Sequence, residues 1–417
     1  MLALPNSLNG NRFMSTMTTP RAVSPPFVST SVAVHPIGVL RSRMPELDAI
    51  RGIAILMVVF FHGFSSSFGT YGMYGWQKIF VSLTLPGWMG VNLFFALSGF
   101  LITGILLDTK ESPDYYRKFY IARSLRILPA YYALLLVLLA VGRYILPERF
   151  VSLPFIGLCF FYLANITPLL GVPLQFGVLW SLAVEEHFYL LWPTVVWKLS
   201  RRAVGVCAVF IALASTLARI ISFELGYHYF AHYTWLVADG LAMGALLAVL
   251  MRGPLGTKSG ARRVAVWFFA VALGLVFLDK IIHRALFGGS LDWTALNIAC
   301  SGVVASALAF RDNKYTFWFR MPVLTFFGDI SYGLYLIHML VFYAFNAVQD
   351  WLFPWAPHLK GHFEVFLVRF LVSFPIATLL AAISRRYFEE PFLKIKERLK
   401  SRRAGSRDQQ GLGRQPS

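Results

Sequence analysis

The stretch Leu47-Asp48-Ala49-Ile50-Arg51-Gly52-Ile53-Ala54-Ile55-Leu56-Met57-Val58-Val59-Phe60-Phe61-His62 decides the fold class. Between Arg51 and His62 it holds only apolar residues and one glycine. Comparable runs recur from about Ile50 to Ala382, each near the roughly 20 residues that cross hydrocarbon. In a chain of 417 residues with 57% hydrophobic and 14% charged composition, too little charge remains to coat a soluble domain of this size. The sequence therefore predicts an all-α, polytopic transmembrane helix bundle.

The formal charge of +18 would suit a nucleic-acid binder, yet Lys and Arg gather at the junctions between apolar runs rather than on one patch or helix. No nucleic-acid partner is expected. The basic clusters fall at 41–51, 110–126, 198–202, 252–263, 311–320 and from Arg385 onward. The positive-inside rule assigns them to the cytoplasm. That choice gives ten spans, at 50–68, 88–107, 129–146, 178–197, 203–222, 234–251, 264–282, 291–310, 322–348 and 364–386, with both termini cytoplasmic. Residues 153–170 are apolar but interrupted by Pro154, Asn165 and Pro168. A full crossing there would carry Lys198, Arg201 and Arg202 outside, so a re-entrant or half-buried segment is expected.

Residues 1–43 are rich in Ser, Thr, Pro and Val without periodicity, and are predicted to be disordered. They lack the basic start and continuous apolar run of a secretory signal, so the first span is expected to direct insertion. Met44 is an alternative start to Met1, which the sequence leaves open. The transmembrane domain is expected to run over 44–396, and 397–417 to form a basic, polar cytoplasmic tail beside anionic lipid. Cys159, Cys207 and Cys300 each lie in an apolar run, with no spacing that suggests a disulfide framework or a zinc site. No internal repeat, heptad pattern or Gly-rich phosphate loop stands out, which argues against ATP-driven pumping within this chain.

Ionisable residues within spans cost about 2.5–3.5 kcal/mol on insertion scales, so each is a functional candidate. Arg51 and His62 are eleven residues apart, three turns of helix, and share one face. His62 suits proton transfer near neutral pH, although a packing role for it and a headgroup anchor for Arg51 explain them as well. In Trp180-Ser181-Leu182-Ala183-Val184-Glu185-Glu186-His187-Phe188-Tyr189, residues Ser181, Glu185 and Tyr189 form one polar stripe, with Glu186 about 100° away. Glu185 is therefore the favoured inward carboxylate, against helix capping as the alternative. Arg123 and Arg126 face one way at i, i+3, which suits bidentate phosphate binding and equally an ordinary basic flank. Ser331, Tyr335 and His338 share a face of the ninth span. Asp239 and Arg219 stand isolated and receive no chemical role.

Five of these segments, in order from about Pro45 to Lys396, resemble the acyltransferase 3 family of membrane O-acyltransferases. The Leu47–His62 run resembles its first-span signature, an Arg, ten residues and a His. Gly90-Val91-Asn92-Leu93-Phe94-Phe95-Ala96-Leu97-Ser98-Gly99-Phe100-Leu101-Ile102 is similar to its second block, and Arg123-Ser124-Leu125-Arg126-Ile127-Leu128-Pro129-Ala130-Tyr131-Tyr132 to its third. Trp180 to Pro193 resembles the fourth, and Ile330-Ser331-Tyr332-Gly333-Leu334-Tyr335-Leu336-Ile337-His338 the last.

The resemblance implies transfer of acetyl or another acyl group from cytoplasmic acyl-coenzyme A, a co-substrate rather than a tightly bound cofactor, to a hydroxyl of a carbohydrate acceptor. It implies that Arg123 and Arg126 hold coenzyme A phosphates, that Arg51 orients the donor, and that His62 activates the hydroxyl with Glu185 orienting or balancing the site. Ser98, Tyr189, Ser331, Tyr335 and His338 would support them. No metal is called for. Asn92 and His187 depart from the acidic residue and the Gln usual at those places. Residues 387–417 are too few for the secreted hydrolase-like domain that some relatives carry, so none is expected. A bacterial cytoplasmic (inner) membrane is the expected location. The alternative reading is a transporter or flippase, since sparse buried charges among many spans also describe a substrate pathway.

Overall fold

The computed structural model describes residues 40, 44–64, 73–145, 151–226, 232–281, 289–311, 313–353, 355, 362–392 and 394. The N-terminal extension, apart from Leu40 and Met44, and the tail at 397–417 lie outside the described residues. Helices make up the fold, with no strand among the described residues.

Helix α1, Pro45–Phe64, opens on a proline that needs no amide partner and carries Glu46 and Asp48 in its first turn, where the helix dipole favours acids. Helix α2, Gly75–Thr84, leads through a 3₁₀ turn, Leu85–Trp88, into α3, Met89–Thr109. Then follow α4 (Tyr115–Ile145), α5 (Leu153–Phe160) with a 3₁₀ turn at Ala164–Leu170, α6 (Leu179–Lys198), α7 (Arg201–Glu224), the single turn α8 (Thr234–Val237) and α9 (Asp239–Met251). After α10 (Lys258–Ile281) and α11 (Ser290–Phe310), a 3₁₀ segment at Lys314–Arg320 precedes α12 (Pro322–Asp329), α13 (Ser331–Leu352) and α14 (Phe363–Ile383).

Eight helical segments among the described residues are long and apolar enough to cross a membrane, and the chain is an integral membrane protein. Two of the ten expected spans are helices outside that set. The Glu185-Glu186-His187 run lowers the apolarity of α6, while α9 has only 13 residues and is packed by protein on nearly every side. The expected span at 322–348 is two helices: α12 stops at Ile330, whose φ −92° and ψ 3° leave the helical region, and α13 starts afresh at Ser331. Just before the break the chain packs directly on α1, where a side chain on Gly328 would overlap the carbonyl of Asp48. Residues 153–170 form two short pieces, neither long enough to cross, with Phe155, Cys159, Asn165 and Thr167 buried.

Helices α1 and α3 occupy the middle. One core cluster joins α1 to α4, α5, α6, α13 and α14; a second joins α1 and α3 to α9, α10 and α11. Helices α3 and α9 cross at backbone contact: a Cβ on Gly99 would overlap the Leu241 carbonyl, and one on Gly244 the Ala96 carbonyl. Such small-residue crossings are a membrane device, since lipid gives helices no hydrophobic reason to associate.

The basic junctions meet at one end of this bundle. Lys110 donates to the Leu199 carbonyl at 2.6 Å, Arg252 pairs with Asp108 at 2.6 Å, and Arg201 donates to the Arg252 carbonyl. Arg320 pairs with Glu46 at 3.1 Å, and Arg385 lies 4.0 Å from Asp329. Arg219 and Asp239 are partners rather than isolated residues, 2.8 Å apart and 2% and 0% exposed. Thr294 Oγ1 and the Leu236 carbonyl also accept from the guanidinium.

Candidate active site

Five helices bring their polar residues to a cavity of about 110 Å³ near the basic end. Arg51 comes from α1, Ser98 from α3, Arg123 and Arg126 from α4, and Glu185, Glu186 and Tyr189 from α6; Ser331 and Tyr335 of α13 close the far side. The i, i+3 spacing in α4 presents both guanidinium groups to it, and the i, i+4, i+8 stripe of α6 presents Ser181, Glu185 and Tyr189.

Glu185 is held from two sides. Ser98 Oγ donates to its Oε1 at 2.8 Å and the Tyr189 hydroxyl to its Oε2 at 3.2 Å, while Tyr189 and Ser98 also lie 3.2 Å apart. Arg123 stacks on the Tyr189 ring, 5.6 Å from its centroid. Arg51 donates to Asp48 at 2.6 Å, one turn back on its own helix. The result is a cluster of three guanidinium and two carboxyl groups, of which Arg51, Arg123 and Glu185 are held by neighbouring side chains, a setting that favours a charged ligand over an apolar one. Glu186, expected to turn away, lines the same cavity, because the opening wraps round α6 towards α4. Ser331 Oγ donates to the Gly328 carbonyl at 2.8 Å, so it secures the α12–α13 break as well as lining the site.

A second cavity of about 420 Å³ lies beyond Tyr335, towards the opposite end. His62, Asn92 and His232 supply its polar groups, among Phe61, Trp88, Trp180 and Trp293. Trp88 and Trp293 stack at 4.9 Å with planes 21° apart, and the His232 ring meets Trp180 edge-on at 5.1 Å. Burial lowers the His232 pKa from its ordinary value, which favours the neutral ring. Asn92 donates from Nδ2 to Asn297 Oδ1 at 2.8 Å, and His187 Nδ1 lies 2.7 Å from the Thr234 hydroxyl. The two residues that depart from the family pattern therefore both have polar partners in the structure.

The expected site residues thus divide. Arg51, Ser98, Arg123, Arg126, Glu185, Tyr189, Ser331 and Tyr335 share the smaller cavity, whereas His62 faces the larger one with His338 behind it. Tyr335 and Val91 line both. Where the cavities adjoin, the Tyr335 hydroxyl lies 2.6 Å from Ser181 Oγ, and we refer to this contact as the partition. Sharing a helix face with Arg51 does not place His62 in the same chamber, because the rise of about 1.5 Å per residue carries it past the partition.

Sequence reasoning missed the tryptophans, since Trp is common at membrane interfaces for reasons unrelated to ligands. It also missed Arg369, a buried cation within an apolar span whose cost alone could have drawn notice. Arg369 donates to the carbonyls of Gly63 at 2.5 Å and His62 at 3.5 Å, capping the end of α1.

A family model described as an acyltransferase domain matches residues 44–386. The O-acetyltransferase OatA of Staphylococcus aureus strain NCTC 8325 is 25% identical over 382 residues, a match that covers 84% of this chain and 57% of that protein. OatA of strain COL gives the same figures, and the SAS0844 protein of strain MSSA476 is 26% identical over 377 residues with the same coverage. The chain therefore spans about 57% of the length of these curated relatives. No solved structure matches.

Proposed function

Because the chain belongs to the acyltransferase 3 family, whose domain model matches residues 44–386, we propose that it is a membrane-embedded O-acyltransferase. It moves an acyl group, acetyl by analogy with the relatives' names, from cytoplasmic acyl-coenzyme A to a hydroxyl of a carbohydrate acceptor. The observation that supports this reading is the pair of cavities that adjoin at Tyr335: one lined by Arg51, Arg123 and Arg126, which suits an anionic donor, and one holding the His62 imidazole beside aromatic walls.

In this reading all ten segments span the bilayer, both termini and the basic end face the cytoplasm, and the membrane is the bacterial cytoplasmic one. Arg123 and Arg126 bind donor phosphates, and Arg51 orients the donor as its pantetheine arm enters. With Tyr335 displaced, the thioester carbonyl comes within reach of the acceptor hydroxyl held at His62. His62 takes the hydroxyl proton as the oxygen attacks; the new C–O bond forms, the C–S bond breaks, and the thiolate leaves with little need of acid assistance. The proton then passes from His62 to the thiolate or to solvent. Glu185, held by Ser98 and Tyr189, balances the arginines and keeps Arg123 stacked in place. The stacked Trp88 and Trp293 offer a flat apolar face of the kind that a pyranose ring covers with its C–H groups.

The test is transfer of label from acetyl-labelled acetyl-coenzyme A in membranes containing the wild type or His62→Ala, followed by separation into lipid, glycan and small-glycoside pools. Label in a glycan or glycoside pool with the wild type only is expected. Folded His62→Ala protein with full transfer would refute the role of His62. Two cavities on either side of one closed bond also suit a transport pathway, and an activity that proceeds without coenzyme A would favour that reading instead.

A further inference from the structure

We propose that His338 is a positioning residue that holds His62 in the tautomer protonated on Nδ1, leaving the basic lone pair on Nε2. This inference rests on the reading of His62 as the base and adds the group that prepares it.

The argument begins at the Leu334 carbonyl. His338 Nδ1 lies 2.9 Å from that oxygen, four residues back along α13. A carbonyl only accepts, so the neutral His338 ring carries its proton on Nδ1 and its lone pair on Nε2. His338 Nε2 in turn lies 3.2 Å from His62 Nδ1. Two lone pairs do not face one another at that distance, so His62 Nδ1 supplies the proton. The order is then Leu334 carbonyl, His338, His62, each accepting from the next, and the acid–base atom of His62 is Nε2.

His338 has no other route to the reaction. It is 0% exposed and lines neither cavity. Phe342 meets its ring edge-on at 6.2 Å and Tyr335 lies at 5.9 Å, so the imidazole has little room to rotate. Arg369 fixes the other side of the pair through the His62 and Gly63 carbonyls. The opposite tautomer of His62 would present an N–H where the acceptor hydroxyl must give up its own proton.

Two measurements test this. In wild-type protein labelled with ¹⁵N-histidine in a bilayer, the His62 resonances, identified by their loss in His62→Gln, are expected at the positions of an Nδ1-protonated neutral ring. An Nε2-protonated ring would overturn the inference without any substitution at 338. Kinetically, His338→Leu should lose roughly 10²-fold in kcat, within the 10²–10⁴-fold that a general base typically supplies, with little change in the donor KM. His338→Gln, whose amide oxygen can accept from His62 Nδ1, should recover at least about tenfold of that loss. A His338→Leu enzyme with full kcat, beside an inactive His62→Gln, would sink the role of His338 and leave that of His62 standing. Full activity in His62→Gln would instead refute the catalytic reading, while the ¹⁵N spectrum still judged the tautomer.

Discussion

Tyr335→Phe removes one oxygen atom at the point where the two cavities meet. That oxygen lies 2.6 Å from Ser181 Oγ in a buried setting. A hydrogen bond of this kind contributes about 0.5–1.5 kcal/mol net, which corresponds to a change of about 2- to 12-fold in the ratio of open to closed partition. The lower part of that range is expected, because Ser181 retains the Val178 carbonyl at 3.3 Å and is not left as an orphaned donor. The assay is release of coenzyme A thiol from acetyl-coenzyme A by purified protein in lipid discs, with and without acceptor. Hydrolysis without acceptor should rise by up to that factor as water and thioester meet more often, while transfer to acceptor is preserved. Unchanged hydrolysis would mean that the bond does not hold the partition closed. Loss of transfer to the level of His62→Ala would mean that the Tyr335 hydroxyl takes part in the chemistry. Ser181→Ala should act in the same direction, since it deprives the Tyr335 hydroxyl of the same partner.

Arg123→Gln should raise the KM for acetyl-coenzyme A by about 10- to 150-fold, the equivalent of a lost charge-assisted contact of roughly 1.5–3 kcal/mol, with a smaller effect on kcat. Arg123→Lys should fall between it and the wild type in steady-state kinetics, because it keeps the charge but loses the fork stacked on Tyr189. Breaking the buried Arg219–Asp239 pair with Asp239→Leu or Arg219→Met should each destabilise by about 3–5 kcal/mol, and the double substitution should recover much of it. Thermal unfolding in detergent checks this, and additive losses would show that the pair is not coupled. Gly99→Val sets a branched side chain against the Leu241 carbonyl and should cost at least about 1–3 kcal/mol, seen as loss of monodisperse protein on size exclusion.

The helical, membrane-bound architecture was legible because it depends on apolar run length, which is local. The ends of the spans were less so. Ile330 gives no sign of a helix break, and the close packing beside it, Gly328 against Asp48, joins residues 280 positions apart (328 − 48). The stripe on α6 and the pair on α4 were readable from spacing and do converge on one cavity. The partition between His62 and that cavity was not, because it depends on Tyr335 and Ser181 meeting across two helices. Arg219 and Asp239 looked isolated for the same reason: their pairing joins α7 to the start of α9.

These long-range contacts give α13 a coordinating place in the proposed reaction. Over two turns it supplies Ser331 and Tyr335 to the donor cavity, Tyr335 to the partition, and His338 to the imidazole of the acceptor cavity. Tyr335 and His338 sit three residues apart on one helix, so rotation of the Tyr335 side chain alone withdraws its hydroxyl from Ser181 and leaves the group that orients His62 in place. The base is thus aligned before the partition opens.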